Sequence, residues 1–192
     1  LAAELARDST RLDPSWAHAP TPALITHLVD VHHAYTRESL AALAPLVEKV
    51  RRVHGARRPE LETVAALFEV LRADLLPHLA KEEQVLFPAL RRRASLGPGA
   101  FEAGSLLGPI ERMEEEHETA GVILRQLRRI TGDYHPPEGA CATLAAVYKE
   151  LEALEVHIHL ENNVLFPRAL RGAAGVGPVP AASEVAPLGD RV

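Results

Sequence analysis

The chain has 192 residues, of which 47% are hydrophobic and only 4% aromatic, and its formal net charge is −5 at pH 7. That length suits one well-buried core, and the negative charge argues against a nucleic-acid partner, because phosphate binding requires a positive field. The single cysteine excludes an internal disulfide, and no apolar run approaches the ~20 residues that span a bilayer. We therefore expect a cytoplasmic protein, monomeric or weakly dimeric, that does not contact a membrane.

Proline and glycine mark the predicted elements. The patterns of apolar spacing predict helices over 22–53, 59–94, 109–131 and 137–171. A proline heads each pattern and a glycine follows it, as is typical of helix starts and ends. The prolines are Pro22, Pro59, Pro109 and Pro137. Long helices with short connections predict an all-α fold, an antiparallel up-down four-helix bundle. Pro45 and Pro77 fall inside predicted helices and should kink them.

The bundle is predicted to occupy residues 21–171. Residues 1–20 are interpreted as the remnant of an N-terminal segment and a linker, since the chain begins with Leu rather than Met. Residues 172–192 are rich in Gly, Ala, Pro and Val without periodicity, so a disordered tail is expected there.

A repeated motif divides the predicted bundle into two halves. The frame H-x-x-x-E-x-x-V-L-F-P begins at His78 and again at His157, and each copy has a lone histidine upstream, His33 in the first half and His117 in the second. The four-residue spacing places His and Glu on one helix face, one turn apart. One such pair is close to chance among ten histidines. The duplicated frame is therefore the specific signal, and it indicates that helices one and two are a structural copy of helices three and four.

The polar residues of the repeat fall in heptad rows that should face the core. On the second helix His78 shares a row with Val64, Leu71 and Val85, and Glu82 lies in the neighbouring row. Six residues replace apolar side chains in this way: His33, His78, Glu82, His117, His157 and Glu161. Burying them without compensation costs several kcal/mol per charged group. We interpret them as metal ligands, with buried His–Glu hydrogen bonds as the alternative.

The donor types narrow the choice of metal. Imidazole and carboxylate without thiolate suit iron, manganese or zinc. Four His and two Glu fit two ions, each with two imidazoles, bridged by the carboxylates and an oxide, and an octahedral ion then keeps one open position. Zinc prefers tetrahedral closure with fewer ligands. Ferritin-like sites use paired Glu-x-x-His motifs, and only Glu114-x-x-His117 matches that pattern.

With these residues, the chain resembles the hemerythrin-like domain of the bacterial Repair of Iron Centers family, over about residues 15–170. The resemblance rests on His32-His33, H-x-x-K-E-E-x-V-L-F-P at His78, Glu116-His117, Ala140-Cys141, and H-x-x-L-E-N-N-V-L-F-P-R-A-L at 157–170. It implies a hemerythrin-like fold and two iron ions, oxo- or hydroxo-bridged, ligated at the six positions named above. The family usually also carries a Cys-Cys pair in a small N-terminal domain, and this sequence has no such pair.

The resemblance implies repair of iron–sulfur clusters damaged by nitric oxide or peroxide, by iron delivery or nitric oxide reduction. Its partners would be damaged iron–sulfur proteins and small molecules: nitric oxide, dioxygen or peroxide. The alternative is a hemerythrin-like carrier or sensor that binds dioxygen or nitric oxide reversibly, so the sequence leaves open whether the protein is an enzyme.

Several neighbours of the predicted ligands have secondary roles. Asp74 and Glu116 are predicted to accept hydrogen bonds from ligand imidazoles and so orient them, with ordinary solvated charges at a helix edge as the alternative. His32 is interpreted as a bystander that would replace His33 if the first helix were rotated. Cys141 is expected in the first turn of the fourth helix, where it is either a buried small apolar side chain, which we favour, or a thiol whose pKa the helix dipole lowers.

Overall fold

The computed structural model describes residue 16 and residues 18–96, 104–154 and 164–171. These residues form helices and turns, and no strand occurs among them. The predicted all-α fold class is therefore confirmed. The predicted tail at 172–192 and most of the predicted remnant at 1–20 lie outside the described residues. Within the described part of the chain, no helix is both long enough and apolar enough to cross a membrane.

The first two helices each contain a π-helical segment. Helix α1 is built from Thr21–His27, a π segment over Leu28–His33, and Ala34–His54. Helix α2 is built from Glu60–Lys81, a π segment over Glu82–Leu86, and Phe87–Leu96. A π segment bonds each residue to one five positions away and thereby adds a residue to the turn. The sequence predicted both helices to within two residues at each end, but not the π segments.

Later helices depart more from the predicted bounds. Helix α3 spans Gly104–Ile130, five residues earlier than predicted, because the buried Leu106 extends the apolar face beyond Pro109. Helix α4 spans Ala142–Ala153. The predicted start at residue 137 is wrong, since Gly139 has a φ of 73°, which a right-handed helix excludes. Cys141 is consequently the N-cap residue rather than a first-turn residue, and its expected burial is wrong, because its side chain is exposed. A short helix α5 covers Phe166–Arg171.

Helices α1 and α2 run antiparallel. Arg51, near the end of α1, donates to Glu62 at the start of α2 over 3.0 Å. At the opposite end of the pair, Arg91 donates to the Thr26 hydroxyl over 2.8 Å. The late part of one helix thus meets the early part of the other at both ends.

Helices α1 and α4 are also antiparallel. The Nε2 atom of His54 lies 3.2 Å from the Sγ atom of Cys141, and the Tyr35 hydroxyl donates to Glu150 over 3.4 Å. Two of the helix pairs of an up-down bundle are therefore described, and the complete four-helix arrangement stays a prediction because residues 155–163 lie outside the described part.

Two apolar clusters fill the interior, with a polar layer between them along the helices. The fully buried members of the first cluster are Leu43, Phe68, Leu71, Leu127 and Leu151. Those of the second are Leu24, Ile25, Leu28, Ile110 and Phe166. Buried polar residues separate the two clusters on α1, α2 and α3: His32, His33, Thr36, Ser39, His78, Glu82 and His117. The interior is thus interrupted at one level, where three helices contribute polar side chains.

The prolines expected to kink the helices lie inside regular α-helical segments. Pro45 is within Ala34–His54 and Pro77 within Glu60–Lys81, and helical structure continues past both. Each proline removes one backbone hydrogen bond. The irregular part of α2 begins five residues after Pro77, at Glu82.

The π segment in α2 changes which residues face the core. Val85 was predicted to share the core row of His78, and this is wrong: Val85 is 63% exposed, whereas Leu86 is only 3% exposed. The extra residue in the π turn shifts the apolar row by one position, so that Leu86 replaces Val85.

This shift predicts that two neighbouring substitutions change the free energy of unfolding by very different amounts. We expect Leu86→Ala to lower the free energy of unfolding by about 2–5 kcal/mol, because it leaves a cavity in the core. We expect Val85→Ala to change it by less than about 0.5 kcal/mol. Urea unfolding followed by circular dichroism measures both values. Equal losses in the two variants would contradict the shifted register.

Candidate metal centre

The polar layer contains four of the six residues that the sequence singled out as ligands. His33 comes from α1, His78 and Glu82 from α2, and His117 from α3. Their exposed fractions are 0%, 2%, 0% and 2%. The two remaining predicted ligands, His157 and Glu161, lie outside the described residues.

The donor atoms of these side chains converge. The Nε2 atoms of His78 and His117 are 2.8 Å apart. The Oε2 atom of Glu82 lies 3.4 Å from the Nε2 atom of His78 and 3.4 Å from the Nε2 atom of His33. Within the described residues, His78, Glu82 and His117 form a group whose ligand atoms all lie within 4.8 Å of one another. Glu82 thus lies between the His33 ring and the His78–His117 pair.

These spacings and donor types fit a bound cation. Metal–nitrogen and metal–oxygen bonds of about 2.0–2.2 Å place neighbouring donors about 3 Å apart, and the separations of 2.8 and 3.4 Å between the donor atoms match. A buried carboxylate surrounded by imidazoles also requires neutralisation. Since no thiolate is present in the group, the donors suit iron, manganese or zinc rather than a soft-metal ion.

Equivalent phenylalanines of the repeat contact equivalent histidines. The Phe87 ring of the first copy lies 5.4 Å from the His33 ring, centroid to centroid. The Phe166 ring of the second copy stacks on His117 at 5.8 Å. Each half of the repeat therefore packs its own phenylalanine against its own upstream histidine, as expected if the halves are structural copies.

Glu116 lies behind His78. The His78 Nδ1 atom donates to Glu116 over 3.0 Å, because a carboxylate can only accept, and Lys81 donates to the same carboxylate over 2.7 Å. Burial alone would raise the pKa of Glu116, but the hydrogen bonds from Lys81 and His78 outweigh it and hold the pKa at about 2. Glu116 therefore remains ionised and fixes the Nδ1 proton of His78, which leaves its Nε2 atom to face the centre.

Asp74, the other carboxylate predicted to orient a ligand, lines a surface pocket of about 260 Å³ together with His78, Lys81 and Glu116. The pocket lies between α2 and α3. Asp74 is exposed there, and the Nδ1 atom of His78 donates to Glu116 rather than to Asp74.

Glu83 lies behind His33, and the sequence reasoning missed it. The His33 Nδ1 atom donates to Glu83 over 2.7 Å, and Arg37 donates to the same oxygen over 2.8 Å. Burial would raise the pKa of Glu83, but the hydrogen bonds from Arg37 and His33 outweigh it and lower the pKa. The repeat gave no signal for this contact, because the second copy has Asn162 where the first has Glu83.

The first helix presents His33 rather than His32 to Glu82. His32 is also buried, at 5% exposure, but its ring makes an edge contact with His27 at 5.1 Å between centroids. The His27 ring in turn stacks on Trp16 at 3.9 Å. The two consecutive histidines thus contact different residues: His32 packs against His27, and His33 lies at the polar centre beside Glu82.

Comparison with known protein families identifies the family of the chain. Residues 24–169 match the model of the hemerythrin HHE cation binding domain. The chain belongs to the hemerythrin HHE family. This match covers all of α1 to α4 except the first three residues of α1, and it includes the described polar layer.

Curated relatives share much of the sequence. The iron–sulfur cluster repair proteins YtfE of Yersinia pseudotuberculosis serotype IB (strain PB1/+) and of Yersinia pestis (strain Pestoides F) are both 40% identical to this hemerythrin-family chain over 161 residues. The aligned region is 82% of this chain and 69% of each relative. The family resemblance predicted from the sequence is confirmed.

Proposed function

We propose that this hemerythrin-family protein is a non-haem di-iron protein that repairs iron–sulfur clusters damaged by nitrosative or oxidative stress. The observation that supports the proposal is the buried convergence of imidazole and carboxylate donors in the polar layer, with Glu82 between His33 and His78. The 40% identity to iron–sulfur cluster repair proteins supports the substrate class.

In the proposed centre Glu82 would hold iron together with the histidines on either side of it. His78 and His117, whose Nε2 atoms are adjacent, would bind one ion, and His33, on the other side of Glu82, would bind the second. His157 and Glu161, the matching residues of the second repeat copy, would supply a further imidazole and a further carboxylate. Octahedral iron held by these residues and an oxo or hydroxo bridge would keep a position for a small molecule.

The side chains prepare the site for this role. Glu116 holds the Nδ1 proton of His78, so that the Nε2 lone pair of this ring faces inward. Phe87 and Phe166 cover the rings of His33 and His117 on the side of the second apolar cluster and limit the access of water. Bound iron supplies redox chemistry and a position for nitric oxide, dioxygen or peroxide, and iron is also the cargo if the protein rebuilds clusters by delivery.

A repair assay tests the proposal. Iron-loaded protein is incubated without oxygen with a [4Fe–4S] ferredoxin that nitric oxide has damaged, and recovery of the cluster absorption is followed. We expect the wild-type chain to restore the cluster, and His78→Ala, which removes a ligand, to restore much less. Equal recovery with both proteins would contradict a role of this centre in repair.

Gas analysis in the same assay separates the mechanisms. Nitrous oxide formed in proportion to nitric oxide consumed would indicate reduction at the centre, and iron transferred to the ferredoxin without nitrous oxide would indicate delivery. Reversible binding of nitric oxide or dioxygen without cluster recovery would instead support the carrier or sensor.

A further inference from the structure

Consecutive glutamates hold both ring nitrogens of His33. The Nε2 atom lies 3.4 Å from the Oε2 atom of Glu82, and the Nδ1 atom lies 2.7 Å from the Oε1 atom of Glu83. The His33 ring is fully buried, whereas the Glu83 side chain is 26% exposed. The His33 ring therefore contacts the candidate ligand Glu82 on its inner side and the next residue, Glu83, on its outer side.

The π segments account for this arrangement. Successive side chains on a regular α-helix point about 100° apart, so neighbouring residues seldom reach one partner. Glu82 and Glu83 are the first two residues of the π segment in α2, and His33 is the last residue of the π segment in α1. Two irregular turns on antiparallel helices thus face each other at this ring, and π turns inside α-helices occur frequently at functional sites.

Arg37 holds Glu83 in place. It lies one helical turn after His33 on α1, and its Nη1 atom donates to the Oε1 atom of Glu83 over 2.8 Å. His33 and Arg37 thus donate to the same oxygen, and Glu83 links α1 to α2 through both. On the other side of the centre, Glu116 accepts from His78 on its Oε2 atom and from Lys81 on its Oε1 atom. Each of these two imidazoles therefore has an outer carboxylate that is itself held by a surface cation.

We propose that Glu83 is a positioning residue of the metal centre, which fixes the proton of His33 on Nδ1 and so directs the Nε2 lone pair to the ion bound by Glu82. The inference rests on the proposed metal-binding function. Residues that hold ligand imidazoles through their second nitrogen typically change metal affinity about 10–100-fold when replaced. Glu83 would accordingly set how tightly the iron on the His33 side is held.

Two substitutions and a matched control test this role. Glu83→Leu removes the acceptor, and Glu83→Gln keeps an acceptor oxygen without the charge. Glu69→Leu is the control, because Glu69 also pairs with an arginine on the surface of α2, over 2.8 Å to Arg72. We expect Glu83→Leu to weaken Fe(II) binding by about 10–100-fold in anaerobic competition with a chelator. Glu83→Gln should weaken it less, and the control should match the wild type.

A second readout does not depend on iron. Nitrogen NMR of metal-free protein with labelled histidine reports which ring nitrogen of His33 is protonated. We expect a single Nδ1-protonated form in the wild type and in Glu69→Leu, and a mixture of forms in Glu83→Leu. A merely structural ion pair between Glu83 and Arg37 would leave this signal unchanged.

The outcomes separate this inference from the proposed function. Wild-type Fe(II) affinity and an unchanged His33 signal in Glu83→Leu would overturn the positioning role alone. A wild-type protein that binds no iron would refute the proposed function, and the NMR signal of the metal-free variants would still decide whether Glu83 orients His33.

Discussion

Replacing His78 and His117 together with alanine is expected to lower iron affinity by more than about 100-fold, because replacing residues that merely support ligands already costs about 10–100-fold. The two Nε2 atoms are 2.8 Å apart, so the double variant removes neighbouring donors from one side of Glu82. Anaerobic Fe(II) titration against a chelator, with elemental analysis of the purified protein, measures the loss.

His135→Ala is the control for this experiment, since His135 is exposed in the turn before α4 and its ring contacts a backbone carbonyl two residues away. It should bind iron as the wild type does. Unchanged iron occupancy in the double variant would show that the cluster of α2 and α3 residues is not the binding site.

Iron binding is expected to stabilise the wild-type fold by about 2.7 kcal/mol when free iron is 100 times its dissociation constant, since a ligand that binds only the folded state shifts the unfolding equilibrium. Glu82→Gln should gain little from iron, because Glu82 contacts both His33 and His78 at the middle of the centre. Urea unfolding with and without Fe(II), in the absence of oxygen, gives both values.

The matched control is Glu69→Gln, which alters a surface ion pair on the same helix and should respond to iron as the wild type does. A stabilisation by iron that is as large in Glu82→Gln as in the wild type would mean that the iron binds elsewhere.

Much of the fold was predictable because its causes are local in sequence. Apolar spacing and proline positions predicted α1 and α2 to within two residues, since amphipathic helices are specified by their own periodicity. The polar interruption of the core rows was predictable for the same reason. His33, His78, Glu82 and His117 stood where leucine or valine would maintain the pattern, and the structure buries all four.

The errors arose where backbone geometry departs from the regular α-helix. The π turn at Glu82 moved Val85 from the core to the surface, and a heptad reading, which assumes a constant period, cannot anticipate an added residue. The left-handed conformation of Gly139, which a sequence pattern does not reveal, places the start of α4 after residue 139 rather than at residue 137. Glu83 was missed because its partner, His33, is fifty positions away in sequence. Contacts between distant segments follow from the packing of two helices, which no single pattern contains.

Elemental analysis of the purified wild-type chain tests the central claim most directly. Protein produced in iron-supplied cells and purified without oxygen should contain two iron ions per chain and little zinc or manganese. Its absorption after exposure to air should show the bands of an oxo-bridged iron pair. A chain that is purified without iron and takes up none on anaerobic addition of Fe(II), or that holds a single zinc ion in its place, would contradict the account.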